Sequence, residues 1–407
     1  MSSSDIWLSA SILLATAIVG GILLLPKVSR SEWWQATVTP LASIIGSGFL
    51  VLGPILVREY GKLAAPMMLG LCVVAYLFGN AIRYNIRHYE SGGENLPRYV
   101  HLMESVSSWM LAFAYIISVS YYINLLGSFA VSQTSFNSQT AGRIVATCVL
   151  IFIGLFGFLF GLKKLESLEE TAVGLKLSII TGLLMGMIVF AFQLFSQNKL
   201  AANTVPTPSL HSLYLAFGLV ICVQGFETSR YLGEEHDAET RVKTMKASQW
   251  ISTIIYVLYV FLMSFCFNAD NIETSETAII DVTRVIAPIL PYLLIAAAVA
   301  AQFSAGVADT AGCGGLVAEL TKEKVSGKVG YAVAMTGGLF LTWTANVFAI
   351  ISYASKAFAI YYALQSLVAL LVAWQHPEMK HRFRYCVLYG VLALLGVLIA
   401  VFGISAE

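Results

Sequence analysis

Charge is scarce in this sequence: of 407 residues only 12% are Asp, Glu, Lys or Arg, about half the share usual in soluble domains. With 58% hydrophobic residues and a mean hydropathy of +0.77, a water-soluble fold of this length could not hide its apolar surface. A net charge of +1 argues against nucleic acid as a partner. Cysteine is sparse too. Cys72, Cys148, Cys222, Cys266, Cys313 and Cys386 lie singly in apolar stretches, with no CxxC or paired spacing, so neither a disulfide framework nor a zinc site is expected. The six histidines lie in or beside polar loops, which argues against a buried imidazole metal centre. No GxxxxGK[ST] phosphate loop and no Ser-His-Asp or Cys-His arrangement is present, so neither ATP-driven chemistry nor enzymatic catalysis is expected. No metal or organic cofactor is expected either.

What the sequence has is long apolar runs. A spanning helix needs roughly 20 predominantly apolar residues. Twelve runs meet that need, at about 6–25, 35–57, 63–86, 103–131, 143–161, 171–196, 209–231, 248–268, 285–317, 329–345, 347–373 and 384–403. The first could be read as a signal peptide, but no basic residue precedes it while Lys27 and Arg30 follow, the order of a retained span with its N-terminus outside. With that orientation, only Arg58, Lys62, Arg143, Lys199 and Arg284 of the 24 basic residues fall in outer loops. Lys176 and Lys356 sit inside apolar runs, and the remaining 17 face inward. Losing or adding one helix would scramble this alternation. Both termini are then expected outside, in a bacterial inner membrane, with the lipid bilayer as the main partner. Trp7, Trp33, Trp34, Trp250, Trp343 and Trp374 fall near predicted helix ends, as an interfacial aromatic belt does.

Two of the runs are interrupted. The second carries Ile45-Gly46-Ser47-Gly48-Phe49 and then Gly53-Pro54. Glycine weakens a helix in mid-membrane and proline removes a backbone donor. Broken backbone is tolerated at that depth only where it faces protein, water or ligand. Close packing of small residues is the bland alternative. The seventh run carries Val223-Gln224-Gly225-Phe226-Glu227, then Tyr231-Leu232-Gly233-Glu234-Glu235 before a charged loop. A pair of interrupted helices at matching places in two halves points to a transporter site. Spans two to six and seven to eleven are then two repeats of five helices, and the odd number forces opposite topology.

These residues resemble the amino acid–polyamine–organocation transporters, over roughly residues 40–375. The resemblance implies an all-α integral membrane fold of about 12 helices, a five-plus-five inverted repeat of the LeuT-like kind, with one extra helix before and one after the core. The implied division is 1–33 for the extra first helix, 34–200 and 201–375 for the two repeats, and 376–407 for the final helix. It also implies that Gly46, Ser47 and Gly48 offer backbone amides to a substrate carboxylate, with Ile45 beside them a further substrate-binding candidate. Gly225, Phe226 and Glu227 would border the substrate from the other side; Gln224 beside them and Tyr122 are further substrate-binding candidates. The loop Glu235-His236-Asp237-Ala238-Glu239-Thr240-Arg241 departs from the family's proline-containing pattern, and Pro54 is shifted by one, which marks a divergent branch.

Ionisable residues inside a membrane cost a few kcal/mol or more, and are functional candidates by default. Lys176 falls where the resemblance places a proton-carrying lysine in proton-coupled members; snorkelling to the interface is the alternative. Glu227 is a candidate proton carrier or gate, or only a cap for the broken helix. Lys356 is expected to pair with an acid or to line the vestibule, with Asp309 as its possible partner. Asp309 is otherwise a counter-ion for a cationic substrate. Ser304 resembles a hydroxyl lining the former sodium site opposite the lysine, against a packing role. Tyr115 and Tyr121 are candidate pathway residues for which core packing is the stronger reading. The function expected is a secondary active transporter for an amino acid or related small amine, with a proton as coupling ion and sodium as the alternative. The competing readings are an organic-cation permease built on Asp309, and a channel or sensor of transporter shape.

Overall fold

The computed structural model describes residues 3–46, 48–92, 96–162, 169–205, 207, 209–232, 236–273, 275–375 and 381–406. Ser47, which belongs to the first glycine run, lies outside the described residues, as do Lys163, Lys164 and 233–235. Among the described residues the regular structure is helical, with no strand. The principal helices are α1 (Ser3–Leu24), α2 (Glu32–Ile44), α3 (Gly48–Tyr60), α4 (Ala64–Gly92), α5 (Arg98–Val131), α6 (Gln139–Phe160) and α7 (Glu169–Ser196). They continue with α8 (Leu210–Gly218), α9 (Ala238–Cys266), α10 (Leu290–Leu320), α11 (Gly327–Thr344), α12 (Val347–Gln375) and α13 (Arg382–Phe402).

Nine stretches among the described residues are long and apolar enough to cross a membrane by themselves, one of them joining α3 to α4. The spans that do not stand alone are those interrupted at 45–47 and 219–225, and α11 with its 18 residues. Counted with them, the twelve expected spans are all present. Leu24, Phe160, Phe192, Phe340 and Phe402 are exposed on the outside of the bundle. So continuous an apolar surface suits lipid and not water. Helix starts follow local chemistry: Ser31, Ser138, Ser209 and Asp237 each accept a backbone N–H of the first turn from their N-cap positions. At Asp237, in the loop, the Thr240 N–H at 2.6 Å holds the carboxyl below its usual range.

The packing of helices repeats itself under the exchange of α2–α3 with the 210–232 segment, α4 with α9, α5 with α10, α6 with α11 and α7 with α12. Thus α5 packs on α12 as α10 packs on α7, α5 on α6 as α10 on α11, and α4 on α12 as α9 on α7. The pairs α5–α10, α4–α9 and α6–α11 map onto themselves. One pairing breaks the pattern: α5 packs on α11 without an equally extensive α10–α6 counterpart. This exchange symmetry is that of two repeats of five helices related by a pseudo-two-fold axis. α1 lies outside it. It docks on α7 by setting the fully buried Ile12 into the notch of Gly182-x-x-x-Gly186, where a Cβ on Gly186 would come within 2.9 Å of Ile12 Cδ1. The main buried core collects side chains from both repeats around the two interruptions.

Candidate functional site

The first interruption begins where α2 ends. Ile45 N–H still bonds the Leu41 carbonyl at 3.0 Å, but Ile45 then turns to φ −82°, ψ 56° and the helix stops. A helix C-terminus leaves its last carbonyls without partners inside the helix. Two distant side chains supply them. Lys176 of α7, 4% exposed, donates from Nζ to the Ala42 carbonyl at 2.7 Å. Tyr256 of α9 donates from its hydroxyl to the Ile44 carbonyl. The Lys176 ammonium therefore does not snorkel; it lies in the core, beside a small cavity that Gly46, Phe49, Leu50, Ala297 and Ala301 also line.

The second interruption follows α8. The chain tightens into a 3-10 turn over Val220–Val223, leaves regular structure at Gln224 and Gly225, and resumes as a 3-10 helix over Phe226–Leu232. Gly225 has φ +115°, a conformation that residues with a Cβ rarely adopt. Its N–H donates at 3.0 Å to Oε2 of Glu227, and the same oxygen accepts from the Tyr362 hydroxyl at 2.9 Å. Gln224 donates from Nε2 to the Tyr122 hydroxyl at 3.1 Å. Phe226 stacks on Tyr362, centroids 5.1 Å apart. Tyr122, Gln224, Glu227 and Tyr362 are all buried, so these groups form an occluded polar cluster between α5, α12 and the two interruptions.

The two interruptions touch backbone to backbone. A Cβ on Gly48 would come within 2.8 Å of Cys222 Cα, and one on Gly225 within 2.7 Å of Ile44 N. Each glycine is required by the main chain of the opposite break. Tyr256 ties them further, because its hydroxyl also reaches the Cys222 carbonyl at 3.1 Å. Gly46 faces Tyr122, whose Cε1 would lie 3.4 Å from an added Cβ. Ile45, Gly46, Gly48, Tyr122, Lys176, Gln224, Gly225, Phe226 and Glu227 are thus gathered in one region.

Of the other expected residues, Tyr121 adjoins the cluster, its hydroxyl 4.0 Å from Cys222 Sγ. Asp309 is buried on α10 and accepts a hydrogen bond from Ser118 of α5. Lys356 is half-buried on α12. Ser304 is also only half-buried, and α10 presents Leu294, Ala297, Ala298 and Ala301, not Ser304, to the cavity beside Lys176. Tyr115 packs edge-on against Phe358, and Tyr121 against Tyr122.

Sequence reasoning passed over a polar layer at the end of the second break. Arg230 bonds Glu104 of α5 at 2.6 Å, with both side chains 9% exposed, and approaches Glu90 of α4 at 3.7 Å. Arg241 of α9 bonds Glu90 at 2.6 Å, and Gln365 of α12 donates to Glu104 at 3.1 Å. Four helices and the broken segment are cross-linked there. Glu104 carried the signal, as an acid inside the expected span 103–131.

A family model described as an APC superfamily transporter matches residues 26–403, starting after α1 and taking in α13. An uncharacterized protein of Aquifex aeolicus (strain VF5) is 44% identical over 389 residues, covering 94% of this chain and 93% of that protein.

Proposed function

The chain belongs to the APC superfamily of transporters, and on that premise we propose that it carries an amino acid or related small amine by proton-coupled alternating access around the two breaks. Substrate would bind in the cluster between them. The first turn of α3, from Gly48 onward, has backbone N–H groups with no partner inside the helix, and a helix N-terminus favours a carboxylate. Tyr122, Gln224 and Phe226 would hold the remainder of the molecule.

The observation that carries the reading is the bond from Lys176 to the Ala42 carbonyl. An ammonium at a helix C-terminus is favoured by the helix dipole and satisfies a carbonyl that has no partner inside its own helix. Loss of its proton weakens that tie between α7 and α2 and frees the first half of the broken span to move. Proton and substrate would then be coupled because each prefers a different position of α2.

The test is uptake into proteoliposomes, using a substrate identified by thermal shift across amino acids and amines. Lys176→Ala is expected to abolish uptake driven by a pH gradient while retaining part of substrate exchange. Uptake by that variant with unchanged pH dependence would remove Lys176 from the coupling role.

A further inference from the structure

Away from the breaks, a cavity of about 380 Å³ opens at the end of the bundle that carries most of the basic residues. One face of α4 walls it with Tyr76, Asn80, Arg83 and Arg87, and the first turns of α9 and α13 complete it with Lys246 and Tyr389. Its permanently charged lining is entirely cationic: Arg83, Arg87 and Lys246, with His88 beside them, and neither Asp nor Glu among the residues that line it. Arg83 is 5% exposed, and its bonds go to neutral groups, the Gln249 side-chain oxygen and the Tyr76 carbonyl, with the Tyr76 ring 4.6 Å from the guanidinium carbon. Arg87 pairs at 3.3 Å with Glu239, but both are about half exposed, and such a pair holds its partners weakly.

A buried guanidinium without a carboxylate, beside two further cations in an open cavity, is an incomplete electrostatic arrangement. A phosphate completes it well, since its oxygens accept from several donors at once and match the guanidinium fork. The surroundings extend the match. Val73 and Leu69, one and two turns up α4 from Tyr76, are exposed, as is Trp250, whose ring meets Tyr76 at 5.8 Å. They form an apolar track leading from the cationic end toward the middle of the bundle. Basic pockets between transmembrane helices, at headgroup depth, take anionic lipid headgroups.

We propose that this cavity binds the phosphate group of an anionic ligand, with the track beside it suited to the chains of a phospholipid. The full chain, purified in detergent, is titrated with phosphatidylglycerol, phosphatidylcholine and glycerol 3-phosphate and read by native mass spectrometry and thermal shift. Phosphatidylglycerol is expected to bind about tenfold more tightly than phosphatidylcholine, the scale of one or two charge-assisted bonds. The double variant Arg87→Gln/Lys246→Gln, both at exposed positions, should remove that preference, and Lys199→Gln, elsewhere on the molecule, should leave it intact. Competition by glycerol 3-phosphate at the same concentrations supports the phosphate site and makes a soluble phosphate ester its source. Equal binding of the two lipids, or a preference that survives in the double variant, overturns the proposal. Because the readout is binding and not uptake, failure here is distinguishable from failure of the transport reading.

Discussion

At Ile45 the chain leaves a helix and presents carbonyls; at Gly225 it approaches one and presents an amide. The groups that satisfy them are matched in sign. The carbonyl end of α2 receives the Lys176 ammonium and the Tyr256 hydroxyl, and the amide before Phe226 receives the Glu227 carboxylate. Each choice also suits the dipole of the helix end concerned. The first break is held by residues far away in sequence, while the second is held largely by its own glutamate. The two therefore answer a proton in opposite senses. On the proposed reading, losing a proton at Lys176 would loosen α2 from α7, whereas gaining one at Glu227 would weaken the acceptor that holds Gly225.

The largest effect is expected where the breaks interlock. Gly225→Ala places a methyl group against the Ser43 and Ile44 main chain and forces a Cβ onto φ +115°. Overpacking and the left-handed backbone together cost about 3 kcal/mol or more. Gly48→Ala meets Cys222 in the mirror position, without the backbone strain, and should cost less. Thermal unfolding in detergent checks both. If alanine is tolerated at 225 with no loss of thermal stability, the breaks do not rest on one another as described.

A finer comparison sets Lys176→Met beside Glu227→Gln. Methionine leaves the Ala42 carbonyl buried without its donor, at about 1–3 kcal/mol. Glutamine retains a side-chain oxygen for the Gly225 N–H, so the second break should lose less than about 1 kcal/mol. Both remove a titratable group and should flatten the pH dependence of uptake. Unfolding midpoints rank the pair, and a larger loss in Glu227→Gln than in Lys176→Met would reverse the account of which break depends on its charge.

Much of this arrangement was legible in residues 45–48 and 224–227, because glycine beside polar residues in an apolar run has few other uses at that depth. Lys176 was legible as a lone cation within a span. The interlock was not, since Gly48 and Cys222 lie far apart in the chain and only the packing of the two halves brings them together. Tyr256 and Tyr362 were hidden for another reason: among 19 tyrosines in a hydrophobic chain, only depth and direction distinguish a hydroxyl that ties a carbonyl from one that packs. Ser304 shows the converse. Its place in the chain resembles a site position, but the face of α10 turned to Lys176 is the stripe 294, 297, 298 and 301. Arg230 and Glu104 were obscured because each lies at the edge of an apolar run, where charge reads as the start of a loop, although the fold buries both.

The smallest expected effect tests the most specific claim. The single proton of the Tyr256 hydroxyl is shared between the Ile44 carbonyl and the Cys222 carbonyl, one from each break. Tyr256→Phe keeps the ring and its stacking on Phe49, at 5.5 Å, and removes only that bridge. Loss of one net hydrogen bond costs about 1 kcal/mol, and the carbonyls it served add to this if no water replaces it. The fold should therefore survive with a modest drop in melting temperature. Its effect on coupling should exceed its effect on stability, because the bridge is a direct polar tie between the two broken segments. Proteoliposome assays on Tyr256→Phe would show this as uptake that proceeds with less response to the pH gradient while exchange continues. Full retention of gradient-driven uptake would mean that the glycine interlock alone joins the two breaks.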